Sequence, residues 1–554
     1  MTRPDAGPAR RPHVVMLVEN DVVVDTRVQK EAFALARAGL RVTLLGVAAG
    51  EERVEQPLGP CHLVRVPVGT DAVRAHAART GRPVAVPPAG TGTDQVADLR
   101  ERMAARRRAI AVASRQAAAR RAGASGPVAA AGYTAGVAVR RAQQEALRLG
   151  GRLLSGRVRI QALSARAQRV TRRAVEARRT QAVDGVRWQD DLPEVHDFDR
   201  AFGPVVDELA PDVIHAHDVR TTIVAVRACE RARAAGRLLP WVYDAHEYVA
   251  GLSLYGRRTP RVVAAWTDLE RETVRSADRV ITVSPQIASE LRTCYGLSRL
   301  PSVVLNIPSE PVAALPAGTA GTADPADDLA DESDGDLRGR LGLATDVPLL
   351  VYSGKVTAAR GVQTAVEALP SMPGTHLAVV SVPHTRTHAV RILAELAREL
   401  GVEDRVHLLE PVAPSQVVAF LRSADVGLIP LLHFGSHEMA LTNKLFEYLH
   451  AGVPVVVSDC RAQEAFVREH RVGESFPAED AAALAKAVGQ VLADPLRYVE
   501  AITPDLLEQY SWGRQEQHLR DLYRDLLGAD ALAAEDALDD HVPTDAVVVA
   551  AEAS

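Results

Sequence analysis

The stretch HFGSHEMALTNKLFEYLHAGVPVVVSD, residues 433–459, decides the fold. Its last third, Val453 to Ser458, is an almost unbroken apolar run with Pro454 at its second place, which predicts a strand covered on both faces. Before it, Thr442 is placed as an N-cap, Asn443 to Ala451 carry a helical pattern, and Gly452 supplies a left-handed exit. Asn443, Lys444 and Glu447 fall in the first turns of that helix, where backbone N–H groups and the helix dipole favour an anion. Glu447 can accept two hydrogen bonds from a vicinal diol. Phosphate at the helix mouth and a diol on a carboxylate together describe a nucleotide sugar.

Outward from this stretch the chain alternates strands and helices. Leu349–Ser353, His376–Val382, Val406–Leu409 and Val426–Pro430 are predicted strands, with helices at 361–369, 386–400, 414–422 and 479–493. Far upstream, His13–Val18, a helix from Val28 to Ala38 and Val42–Gly46 form a βαβ opening, without the Gly-x-Gly-x-x-Gly of a dinucleotide enzyme. Cys61–Val68, 212–217, Trp241–Asp244, 277–285 and 302–308 extend that half. The predicted class is α/β: two Rossmann-like parallel-sheet domains facing a cleft, residues 1–308 and 337–498. A helical insertion interrupts the first at about 70–195, and an acidic linker spans 309–336. An amphipathic helical segment, 499–527, and an acidic tail, 528–554, follow. The ligand is expected in the cleft at the carboxyl ends of both sheets.

Composition narrows the function classes. The net charge of −5 gives the whole chain no general affinity for nucleic acid, but residues 101–180 hold 19 Arg against 3 Glu, a local +16. Such Arg/Ala helices suit an anionic membrane surface, a solvated hairpin or a protein contact, and the membrane arm is placed at 100–181. Residues 309–336 carry eight acids and no basic residue. The four cysteines are scattered without metal-ligand spacing, which fits a reduced compartment. No window approaches the roughly 20 apolar residues of a membrane span. A cytoplasmic protein, peripheral at the membrane's inner face, is expected. Of 65 basic residues, Lys30, Lys355, Lys444 and Lys486 alone are lysine, and two of these fall in chemically chosen motifs.

The second motif is Gly354-Lys355-Val-Thr-Ala-Ala-Arg360-Gly361, following a strand. Gly354 lets the backbone approach a phosphate, and Lys355 and Arg360 can neutralise a departing diphosphate. With NKLFEYLHAGVPVVVSD it resembles the family 4 retaining glycosyltransferases of the GT-B fold, glycosyl transferases group 1, whose members carry a Gly-Arg…Lys-Gly loop and an Asn-Lys-x-x-Glu helix. Here the Arg and Lys types of the loop are exchanged. The resemblance implies that Glu447 holds the nucleotide ribose, that Lys355 and Arg360 hold the diphosphate, and that Leu445 offers its backbone N–H there. Asn443 and Lys444 complete that side. The family's sugar-contacting glutamate is replaced by Met439, and Glu438, one place earlier, is carried as its substitute.

In the first half, Asp25 and Arg27 of ENDVVVDTRV resemble an acceptor-side motif, and DAHE (244–247) resembles a loop whose histidine, His246, sits near the transferred sugar and stabilises positive character at the anomeric carbon. His215 and His217 are assigned structural roles, since a metal needs a third ligand. The resemblance implies retention of configuration, no metal and no cofactor beyond the nucleotide diphosphate sugar. The acceptor is expected to be a carbohydrate or lipid-linked hydroxyl, in envelope or exopolysaccharide synthesis. A nucleotide-sugar epimerase of the same fold and a non-catalytic sugar-nucleotide scaffold are the alternatives.

Overall fold

A computed structural model describes residues 11–23, 25–80, 185–254, 258–308, 336–528 and 531–532, all within one compact unit. The Arg-rich arm, the acidic stretch 309–335 and nearly all of the tail lie outside the described residues. The first half supplies β1 (His13–Leu17), β2 (Arg41–Val47), β3 (Val54–Leu58), β4 (Cys61–Val66), β5 (Val213–His217), β6 (Trp241–Ala245), β7 (Arg279–Thr282) and β8 (Ser302–Val303). They form one sheet in the order β3-β4-β2-β1-β5-β6-β7-β8, parallel except for the β3–β4 pair. The central strands HVVML, VIHAH and WVYDA are buried along their whole length, as helices on both faces require. The second sheet takes β9 (Leu349–Lys355), β10 (His376–Val382), β11 (Val406–Leu409), β12 (Val426–Ile429), β13 (Val455–Ser458) and β14 (Gly473–Phe476). Its order is β11-β10-β9-β12-β13-β14.

Three local departures from the sequence pattern bear on the site. The exposed edge strand β3 contains Pro57 and pairs antiparallel, so it carried neither alternation nor an apolar run. The segment after β4 continues as the helix Asp71–Thr80, its first amides held by Asp197 from the helix Pro193–Leu209. The expected insertion, placed at about 70–195, thus opens on a helix docked against the first domain. The predicted strand 302–308 pairs only at Ser302–Val303. Beyond it, side chains replace the ladder: Arg27 donates to Val304 O, Leu305 N donates to Gln515 Oε1, and Lys30 donates to Asn306 Oδ1 and Ile307 O. Leu305 and Ile307 already belong to the second domain's core.

The return crossing is the helix Trp512–Leu527, which lies on the helix Thr26–Arg37. Trp512, Leu519, Leu522 and Tyr523 share one apolar cluster with Val14, Met16 and Leu44 of the first sheet. Lys30 stands over the Trp512 ring at 4.8 Å, so it touches both crossings. The domains also meet where the turn Val249–Gly251 abuts the short helix Gly435–Met439. A Cβ on Gly251 would lie 2.6 Å from the Gly435 carbonyl carbon, and one on Gly435 2.6 Å from the Gly251 Cα.

Candidate active site in the interdomain cleft

The helix Asn443–His450 is fastened to β9 by Tyr448. Its hydroxyl donates to Val351 O (3.2 Å) and accepts from Ser353 N (2.9 Å), and its ring fills the space where Gly427 lacks a side chain. The 356–361 loop is fixed to the end of β12 in the same way. Leu432 N donates to Ala359 O, and Gly361, at φ +70°, lies so close that a Cβ would come 1.8 Å from Pro430 O. The two motifs are thereby one surface at the carboxyl end of the second sheet.

Cationic groups converge on it. Lys444 is buried against Gly354, its Nζ 3.5 Å from where that residue's Cβ would be and 5.4 Å from the Tyr352 ring centre. Burial and then Arg360 push its ammonium down to about 7. Arg360 also faces His437, whose Nδ1 donates to Leu432 O (2.8 Å) and which burial and Arg360 hold down at about 4. Glu447 is half-buried: burial raises its carboxyl, while Lys444 and Lys30 of the first domain oppose the shift. Thr442 occupies the N-cap, yet its side chain makes no cap bond and its buried Oγ1 has no partner among the described residues. An uncapped helix mouth beside mutually repelling cations is an arrangement that favours an anion.

The geometry revises four expected roles here and in the first domain. Leu445 N–H is already donated to Thr442 O (2.9 Å), because the first turn tightens to an i+3 bond, so it is not free for a diphosphate. Lys355 stands exposed at the end of β9, and Lys444 takes the buried place beside Gly354. Glu438 is occupied: its carboxylate accepts from His433 Nδ1 (2.7 Å) and Arg461 N (3.1 Å). His433 also reaches Asp459 (2.8 Å). Against the penalty of burial, its bonds to Asp459, Cys460 and Glu438 lift it to about 11. Met439 packs into the first domain's apolar core, and its carbonyl accepts from Ser284 Oγ (2.6 Å). Asp25 and Arg27 are engaged within their own domain. Asp25 caps the helix Thr26–Arg37 and accepts from Asn20, whereas Arg27 is buried and grips Asp244 through two bonds (3.1 and 2.9 Å) and Glu31 at 2.8 Å.

That grip organises the first domain's side of the cleft. Asp244 Oδ2 also meets His217 Nδ1 (3.2 Å) and His246 Nε2 (3.0 Å), while His246 Nδ1 lies 3.3 Å from Asp218. Burial works against the His246 charge, but Asp218 and then Asp244 outweigh it and raise its pKa well above 6.5. His246 thus has a carboxylate at each nitrogen, an arrangement that favours its imidazolium form. Asp218, 29% exposed, is the part of this unit that reaches open space, and it was not singled out from sequence. Its backbone, φ 62° and ψ 160°, occupies a region that favours glycine, a strain of about 1–3 kcal/mol. His215 and His217 stack at 4.3 Å, and carboxylates absent from their sequence neighbourhood, Glu31 and Asp244, complete a four-residue donor set. Arg27 lies against both carboxylates, 2.8 Å from Glu31 and 2.9 Å from Asp244.

Two parallel-sheet domains, with a cluster of cations and a carboxylate at the carboxyl end of the second, place the chain in the GT-B class of fold. Residues 347–494 match the family described as Glycosyl transferases group 1, and residues 146–306 match Glycosyltransferase Family 4. The chain belongs to this family of glycosyltransferases. A D-inositol 3-phosphate glycosyltransferase of Xylanimonas cellulosilytica is 30% identical over 233 residues, 41% of this chain and 51% of the relative. The chain spans about half the length of the curated relatives it matches. Sucrose-phosphate synthase from Thermosynechococcus elongatus superposes with a TM-score of 0.56 at 15% identity, covering 94% of this chain and 100% of that one. Alpha,alpha-trehalose 6-phosphate synthase from Burkholderia multivorans gives 0.52 at 12%, covering 94% and 98%. At these identities the likeness is one of fold. Among the described residues no helix is long and apolar enough to cross a membrane.

Proposed function

We propose that the protein transfers a glycosyl group from a nucleotide diphosphate sugar to an acceptor hydroxyl. The observation that carries this is the convergence of Lys444, Arg360, the uncapped mouth of the helix Asn443–His450 and Glu447 on one pocket. The cations neutralise the diphosphate as it departs, and Glu447 holds the ribose diol. The departing diphosphate oxygen takes the acceptor proton on the face it leaves, which retains the anomeric configuration without an enzymic nucleophile. The His246–Asp218 pair presents a carboxylate toward the reacting sugar, where Asp218 can accept a hydroxyl and oppose positive charge at the anomeric carbon. Lys355, exposed at the rim, meets the donor from solvent.

The assignment is tested with a thermal-shift panel of UDP-, GDP-, ADP- and TDP-sugars, followed by turnover of Glu447→Ala and Lys444→Ala. A ligand at 100 times its dissociation constant stabilises by about 2.7 kcal/mol. Each variant should lose about 10²-fold or more in turnover while folded. Near-normal rates in both would refute the reading. The acceptor is read as a carbohydrate or lipid-linked envelope hydroxyl at the cytoplasmic membrane face, supported by the +16 charge of residues 101–180. Deleting residues 100–181 should abolish flotation with anionic liposomes, and unchanged flotation would sink that extension.

A further inference from the structure

His437 has no assigned role, and it was passed over in the sequence as part of a loop. Its ring stands edge-on to Phe434 (centroids 5.4 Å, 90°), and its Nδ1 proton is fixed on Leu432 O. That bond leaves Nε2 as the atom able to gain a proton, and no described residue bonds to it. Every element packed around the ring has a known charge. The 356–361 loop brings Arg360, and the helix Asn443–His450 brings Lys444. The ring's own helix brings Glu438, already held by His433 and Arg461 of the next helix. The turn Val249–Gly251 brings no titratable side chain. A neutral imidazole wedged beside two cations is unfavourable for protonation until an anion enters, and then all three groups face it.

We propose that His437 is a third ligand of the donor diphosphate, neutral while the pocket is open and protonated at Nε2 when a nucleotide sugar binds, so that binding draws a proton from solution. This rests on the donor-site reading above. Calorimetric titration separates the two, using UDP-glucose, GDP-mannose, ADP-glucose and TDP-glucose on the full chain at pH 6.0 in two buffers of unlike ionisation enthalpy. Diphosphate diesters are chosen because a free terminal phosphate itself titrates near pH 6. At pH 6.0 Lys444, at about 7, is already mostly protonated and can supply only a small part of any uptake, so the share that His437 contributes is read as the difference between wild type and variant. The wild type should take up a fraction of a proton per ligand. His437→Gln should take up markedly less than the wild type and bind about tenfold more weakly at pH 6.0, with the two affinities converging at pH 8. Equal uptake and affinity in both proteins would overturn the proposal, as would tight wild-type binding with no uptake if the variant fails to fold. No wild-type binding to any of the four would overturn the donor site itself.

Discussion

At the scale of single residues, the cleft is a set of charges placed where each is costly alone. Lys444 and Glu447 are shifted toward neutrality by burial, whereas His246 is held charged by two carboxylates. The pH dependence follows from those directions. His246 has its folded pKa raised, so its pairing stabilises the fold fully below its ordinary value near 6.5 and the contribution fades as pH rises through the folded pKa. Asp218→Asn should therefore lower the His246 pKa, read from its imidazole resonances in an NMR titration. Each unit of fall removes about 1.4 kcal/mol of stability below pH 6.5. An unmoved pKa would show that Asp218 is not its partner. Lys444 has its pKa depressed, so an anion that recharges it binds less well as pH rises from 7 toward 9. Nucleotide-sugar affinity should fall across that window in the wild type, by up to about tenfold per pH unit.

At the scale of elements, much of the architecture is written in the apolar runs. HVVML, VIHAH and VVVS are strands because they are buried on both faces, and continuous burial leaves a continuous hydrophobic signature. The edges were less legible. VEQPL and GESF sit where one side meets solvent, so their residues need not be apolar. The donor motifs were visible because Gly354, Gly361, Lys444 and Glu447 lie close in sequence to the elements that present them. Asp218 and His437 were not, since what marks them is a strained backbone and a neighbour some 77 residues away, Arg360. The same logic identifies Tyr448, an ordinary helix aromatic by pattern, as the staple to β9. Tyr448→Phe should cost about 1–3 kcal/mol by leaving Ser353 N–H buried and unpaired, measured as a shifted denaturant midpoint. A change within 0.5 kcal/mol would mean that the staple is the ring and not the hydroxyl.

At the scale of the whole molecule, the proposed donor site is built almost wholly from the second domain, and under the proposed function the first domain supplies the facing wall of the cleft. Gly251 and Gly435 are one point of close approach between the domains. Gly251→Val should leave nucleotide-sugar binding within about twofold and lower turnover by about tenfold or more, because it holds the sheets apart without touching a ligand group. Parallel loss of binding and turnover would mean instead that the pocket itself had been damaged.

The helix Trp512–Leu527 also governs how the chain is born. His215, at the centre of the first sheet, finds its partner Tyr523 308 residues later, and Val14 and Met16 wait for Leu519 and Leu522. One face of the first sheet, with only the helix Thr26–Arg37 upon it, therefore stays partly uncovered on the ribosome until almost all of the described chain has emerged, while the second domain can complete its own core earlier. Synthesis proceeds from the amino end, yet consolidation must run the other way. A released chain truncated after Tyr510, which keeps the second core and lacks the returning helix, should show a protease-resistant second domain beside a still digestible first one.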